Sequence, residues 1–107
     1  MNDLDETFAA LADPTRRRVI ELLRAGPHRS SELAARAGTT RPAMGRHLKV
    51  LRASGLVHVE TLADDARGRV YSPRPEEFVA LQAWLDQVHA FWSEQLGHFK
   101  AHAEKRR

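Results

Sequence analysis

The sequence predicts a mainly α fold with one small β-hairpin, in the order of four short helices, two strands and a long final helix. Three observations carry that expectation. Apolar residues recur at helical spacing from Leu4 to Leu51, the period drops to two after Gly55, and a long helical pattern resumes at Glu76. The length of 107 residues leaves room for one small domain, residues 1–107, and excludes a two-domain enzyme. Hydrophobic residues at 42% and charged residues at 29% match ordinary globular composition and argue against disorder or a fibre.

Leu4, Phe8 and Leu11 predict a first helix that stops before Pro14. Asp13 is placed to cap a second helix, and Pro14 suits its first turn, where the missing N–H has no partner to lose. Val19, Ile20, Leu22 and Leu23 form its buried face, and Ala25-Gly26-Pro27 ends it. Ser30 or Ser31 is expected to cap a short third helix that buries Leu33 and Ala34, runs through Arg36 and breaks at Gly38. Thr40 then caps a fourth helix over about 41–54, with Pro42 in its first turn and Ser54-Gly55 at its end. Two short helices joined through Gly by a turn of three or four residues form a helix-turn-helix signature.

Beyond Gly55, Leu56, Val57, Val59 and Thr61 make one β-type run and Val70 and Tyr71 another, with turn residues from Asp64 to Gly68 between them. That is a hairpin, or wing, over about 56–72. The final helix, about 76–105, carries Phe78, Leu81, Leu85, Val88, Trp92 and Phe99 in one seam and Trp84, Phe91 and Leu96 beside it.

The formal charge of +3 conceals a strong asymmetry. Residues 1–15 hold four acids and no base, whereas residues 16–52 hold ten bases against Glu21 and Glu32. One third of the chain is therefore strongly basic, the distribution of a domain that presents one face to a polyanion, although a solvated basic surface gives the same count. The absence of cysteine removes disulfides, thiolate metal sites and cysteine nucleophiles. Acidic residues at the N-terminus and the lack of any long apolar run point to a cytoplasmic chain without a membrane partner. No nucleophile–base pairing, phosphate loop or framed pair of carboxylates suggests an enzyme or calls for a cofactor.

On a helical wheel, Met44, His47, Leu48 and Leu51 of the fourth helix cluster toward the core. The opposite side presents Pro42, Gly45, Arg46 and Lys49, flanked by Arg41 and Arg52, and no acid occurs between Gly38 and Val59. An unopposed basic helix of this width fits the major groove of DNA. Gly45 costs helix stability yet stands where a side chain would hold the backbone off the groove; a crowded packing contact or neutral drift is the alternative. Arg46 can donate two hydrogen bonds to a guanine edge, and Lys49 and Arg52 suit phosphates along the groove. Thr39, Thr40 and the helix N-terminus offer neutral donors to phosphate oxygens. His47 borders the core and is equally suited to a backbone carbonyl or to DNA. Arg67 and Arg69 flank the hairpin tip, where they can reach a neighbouring minor groove or simply sit on a solvated turn.

Those residues bring a family into view. The run Phe8-Ala9-Ala10-Leu11-Ala12-Asp13-Pro14-Thr15-Arg16-Arg17, then Ser31-Glu32-Leu33-Ala34, then Pro42-Ala43-Met44-Gly45-Arg46-His47-Leu48-Lys49-Val50-Leu51, then Ser54-Gly55-Leu56-Val57, closely resembles the ArsR family of bacterial winged helix-turn-helix repressors. The likeness runs from about Leu4 to Ser72. It implies a homodimer, joined through the first and last helices, that binds a palindromic double-stranded DNA operator and represses transcription, here as an autoregulatory repressor. Ser31 is included in the DNA-binding set on this basis. Family members commonly carry Ser at the position of Gly45, so one polar contact differs here. The implied dimer interface comprises Leu4, Phe8, Leu81, Trp84, Leu85, Val88, Phe91, Trp92 and Phe99. The residues support it independently: five of the seven aromatics, Phe78, Trp84, Phe91, Trp92 and Phe99, fall in the last helix, more than one stripe against a small core uses. Burial of both tryptophans inside one subunit is the competing expectation.

Many members of the family sense metals. Thiolate sites are impossible here, and the family's Asp-x-His, His-x-x-Glu site on the last helix is not matched: Asp86-Gln87-Val88-His89 is one residue too long, and Lys100 stands where the second His should fall. The chain thus resembles the metal-independent branch, whose effector is an unknown small molecule or protein. A metal-responsive repressor using Glu94, His98 and His102, spaced four apart, or His89, is the alternative.

Overall fold

Asp13 and Pro14 separate the first two helices as their chemistry predicts. In the computed structural model, which describes residues 3–61 and 68–105, α1 spans Asp3–Leu11 and α2 spans Pro14–Leu23. The Asp13 carboxylate accepts from the N–H groups of Thr15 (2.8 Å) and Arg16 (3.1 Å), two donors that the first turn leaves without a helical partner. The Arg16 N–H foremost, aided by the Thr15 N–H and the nearby positive charge, holds the Asp13 carboxyl below its ordinary value of 3.8 against the opposing effect of desolvation.

The third helix, α3, spans Ser30–Ala37, and α4 spans Arg41–Ala53. The expected serine cap on α3 is not formed. Arg29 occupies the N-cap position, and Glu32 accepts from its backbone N–H at 3.1 Å. Ser30 and Ser31 therefore lie inside the first turn; a Glu three residues past the cap supplied the stronger local acceptor. Gly38 ends α3 at φ 70°, a left-handed conformation that a side chain disfavours, and the chain restarts at Thr40, whose Oγ1 accepts from Ala43 N–H at 3.3 Å.

Strands β1 (Val57–Thr61) and β2 (Arg69–Pro73) pair antiparallel, with Val59 opposite Tyr71, and α5 runs from Pro75 to Lys105. The hairpin is extended by a bridge that the sequence pattern does not announce. His28 N–H donates to Tyr71 O at 3.1 Å and Tyr71 N–H to His28 O at 2.8 Å, so the α2–α3 connection is stitched to the wing.

Val19, Leu23, Leu33, Ala34, Met44, Leu48, Leu51, Leu56 and Val57 form one buried cluster, and Ile20, Leu22, Tyr71 and Phe78 pack around it. The inward face of α1 departs from expectation. Thr7 and Ala10 are the residues it buries, whereas Phe8 stays 41% exposed. Phe8 instead meets Trp84 of α5 edge-on, with ring centroids 5.2 Å apart, a geometry worth about 1 kcal/mol beyond area burial. Apolar spacing on α1 thus serves two neighbours: Phe8 meets α5, whereas Leu11 packs against the core.

The molecule measures 72 × 27 × 25 Å because α5 projects from the body. Along it, Trp84, Leu85, Phe91, Trp92 and Phe99 are 38, 43, 54, 59 and 74% exposed, while Leu81 and Val88 are half-buried. The expectation that both tryptophans pack inside one subunit is overturned: α5 passes beyond the end of the core it would need. Among the described residues no helix is long and apolar enough to cross a membrane.

Candidate nucleic-acid interface

The helix-turn-helix owes its shape to three local devices, Gly38, the Thr40 cap and Pro42, which set α4 on α3 with Met44, Leu48 and Leu51 buried. With those three side chains inward, the remaining arc of α4 faces out. Arg41, Pro42, Gly45, Arg46, Lys49 and Arg52 are all exposed, as the wheel predicts. None of the Arg41, Arg46, Lys49 and Arg52 side chains is paired with an acid: the ion pairs among the described residues are Arg18–Glu21, His58–Glu60 and Arg74–Glu76.

Gly45 sits on this arc with an open flank. A Cβ built there meets nothing within 4 Å, which removes crowding inside the subunit as the reason for the glycine. Of the neutral donors, Ser31 and Thr40 are exposed, and Thr40 keeps its hydroxyl proton free to donate while its oxygen caps α4. Thr39 is half-buried and spends its backbone N–H on Ala34 O at 3.0 Å, so only its hydroxyl can serve a phosphate.

His47 meets neither a backbone carbonyl nor the open face. Its Nδ1 lies 3.3 Å from Nη1 of Arg16, a group that can only donate, which assigns Nδ1 as acceptor and the proton of the neutral ring to Nε2. Arg16 also donates from Nε to Ala10 O at 2.7 Å and from Nη2 to Ala9 O at 3.2 Å. Arg16 therefore joins the end of α1 to the side of α4. The helical pattern places the Arg16–Arg18 run on the exposed face of α2; Arg16 is instead half-buried between α1 and α4, a role that no local spacing marks.

Two concave basic surfaces flank α4. One, of about 420 Å³, is lined by Lys49 and Arg52 together with His58 of β1 and Arg74, which links β2 to α5. The other, of about 650 Å³, is lined by Arg29, Ser30, Ser31, Arg41, Arg69 and Tyr71. Sequence reasoning missed Arg29, His58 and Arg74, because each is brought to α4 by tertiary contacts and not by spacing. Arg69 is exposed at the first residue of β2; Arg67 lies outside the described residues.

His89, Glu94, His98 and His102 are exposed along α5, and no group of three His, Asp or Glu side chains among the described residues is close enough to hold a metal.

Comparison with known proteins agrees with this geometry. The family model described as a helix-turn-helix domain matches residues 11–60. The chain is 40% identical over 94 residues to the HTH-type transcriptional regulator Rv2034 of Mycobacterium tuberculosis, covering 86% of this chain and 80% of that one. It is 27% identical over 66 residues to the transcriptional repressor SdpR of Bacillus subtilis, covering 62% and 68%. Among solved structures, the ArsR family transcriptional regulator RHA00566 superposes with a TM-score of 0.75 at 35% identity, covering 85% of this chain and 91% of that one. A Mycobacterium bovis winged helix-turn-helix DNA-binding domain, Mb0332, described as homodimeric, superposes with a TM-score of 0.64 at 22% identity, covering 87% and 83%, and shares the fold.

Proposed function

This chain belongs to the ArsR family of winged helix-turn-helix DNA-binding transcriptional regulators, and from that premise we propose that it acts in the cytoplasm as a homodimeric, autoregulatory repressor. The single observation that carries the reading is the exposed, acid-free arc of α4, with Pro42, Gly45, Arg46 and Lys49 outward. In each subunit that arc enters a major groove. Arg46 takes a guanine edge through two parallel N–H donors, and Lys49 and Arg52 take phosphates along the groove wall. The backbone at Gly45 comes closest to the bases.

Dimerisation is supported by the uncovered apolar side of α5 and by Phe8 at its edge. A second copy laid against Trp84, Phe91, Trp92 and Phe99 covers that side and sets two α4 helices side by side. The operator is then palindromic, with half-sites about 34–36 Å apart. Repression follows physically when such an operator overlaps a promoter, since bound protein and polymerase exclude each other. The names of the SdpR and Mb0332 relatives support repression and dimerisation respectively.

A gel shift on the region upstream of the protein's own coding sequence, repeated with zinc and with a chelator, tests the proposal. A discrete complex that unrelated DNA does not compete, unaltered by either addition, is the expected result. Equal binding to unrelated DNA contradicts sequence-specific autoregulation, and loss with zinc favours a metal-responsive repressor.

A further inference from the structure

The cleft lined by Arg29, Arg41 and Arg69 gathers one arginine from each of three elements: the N-cap of α3, the first residue of α4 and the first residue of β2. All three are exposed, none has an ion pair among the described residues, and Ser30, Ser31 and Tyr71 complete the lining with hydroxyls. No lining residue is an acid. Glu32, the nearest carboxylate in sequence to Arg29, is engaged by the Arg29 backbone N–H.

The arrangement is held in place. The paired hydrogen bonds between His28 and Tyr71 fix the residue before Arg29 against the strand that carries Arg69. Separately, the Gly38 turn and the Thr40 cap fix Arg41 relative to α3. Three guanidinium groups held around one concavity repel each other unless an anion stands between them, and the forked donors of arginine match phosphate oxygens. The cleft lies between α4 and the β2 strand of the wing, so with α4 in a major groove, as proposed above, the wing is directed toward the neighbouring groove. What separates two adjacent grooves of a duplex is a sugar–phosphate strand.

We infer that this cleft is a shared seat for one backbone phosphate of the bound DNA, held jointly by Arg29, Arg41 and Arg69, and that the His28–Tyr71 bridge is the brace that keeps it assembled. The inference rests on α4 being the groove-facing helix. It adds Arg29 to the DNA-contacting set and gives the wing a role in affinity that does not depend on base sequence.

The test is a titration by fluorescence anisotropy on two duplexes, one from the protein's own upstream region and one unrelated, using Arg29→Ala, Arg69→Ala and the double variant. Lys100→Ala, an exposed charge on α5, controls for net charge. Arg29→Ala and Arg69→Ala should each weaken binding about tenfold, counting two clefts in a dimer, and equally on both duplexes. The double variant should lose clearly less than the product of the two single losses, because both contacts go to the same phosphate. Losses that multiply mean separate phosphates, and a loss matched by Lys100→Ala means charge alone; either overturns the shared seat. Stabilisation of the free protein by millimolar inorganic phosphate, abolished by Arg29→Ala without any effect on either duplex, makes the cleft a small-anion site and overturns it as well. Arg46→Ala on the same duplexes separates the two levels of the argument. If Arg46→Ala leaves the preference between duplexes intact, the groove reading fails; if it abolishes that preference while Arg29→Ala is silent, only the cleft fails.

Discussion

The Arg16 guanidinium stands 3.3 Å from Nδ1 of His47 while two of its other nitrogens hold the carbonyls of Ala9 and Ala10. One side chain of α2 thereby fastens the helix that meets α5 to the helix that faces DNA. Arg16→Ala removes a charged donor from two helix-end carbonyls and should lower stability by about 2 kcal/mol. Arg16→Lys should restore little, since a single ammonium cannot span the fork. Urea denaturation checks both, and an Arg16→Lys variant as stable as wild type contradicts the forked role.

Asp13 makes stability depend on acid in one direction. Its carboxyl titrates lower in the folded chain than its ordinary 3.8, so its contribution is complete above that value and is lost as the pH falls through the folded one. Asp13→Asn keeps an acceptor at the cap and removes the titration. Denaturation midpoints measured from pH 6 down to about pH 2.5 should fall more steeply for wild type than for Asp13→Asn; parallel curves contradict the assignment.

Gly45 separates folding from binding. Because its flank is open, Gly45→Ala should raise stability by about 1 kcal/mol. The same methyl should weaken binding to the upstream duplex by holding α4 off the groove. A variant that is more stable and binds unchanged would remove close backbone approach from the account.

The uncovered side of α5 predicts the oligomeric state. Trp92 and Phe99 are more than half exposed in one subunit, so Trp92→Ser with Phe99→Ser should leave the core intact while shifting the protein from dimer to monomer in sedimentation equilibrium. An unchanged mass at micromolar concentration means that the dimer is built elsewhere.

What the sequence disclosed was local. Asp13, Thr40, Gly38 and Gly55 act on their immediate neighbours, so the helix ends near them are readable from residue type alone. The outward arc of α4 was readable for the same reason, since burying Met44, Leu48 and Leu51 leaves no choice about the rest. Non-local pairings were not. The His28–Tyr71 bridge joins residues 43 positions apart, and no period or turn motif marks it. Arg29 carries no local signal of its place, and the cap of α3 falls to it because Glu32 reaches back to its backbone N–H. Thr7 and Ala10 were hidden in α1 because neither carries a strong apolar signal, while Phe8, which does, answers to α5.

The central claim is that the exposed arc of α4 reads DNA sequence through Arg46 and gains general affinity through Lys49. Titrating wild type, Arg46→Ala and Lys49→Ala on the upstream duplex and on single-base-pair variants of it, across a range of salt, tests that claim most directly. The account predicts that Arg46→Ala loses about 1–3 kcal/mol on the upstream duplex and its preference at one base pair per half-site. Lys49→Ala should weaken every duplex alike and lower the salt slope by about 0.9 per half-site. Unchanged affinity and base preference for Arg46→Ala, or a loss for Lys49→Ala confined to the upstream duplex, would contradict it.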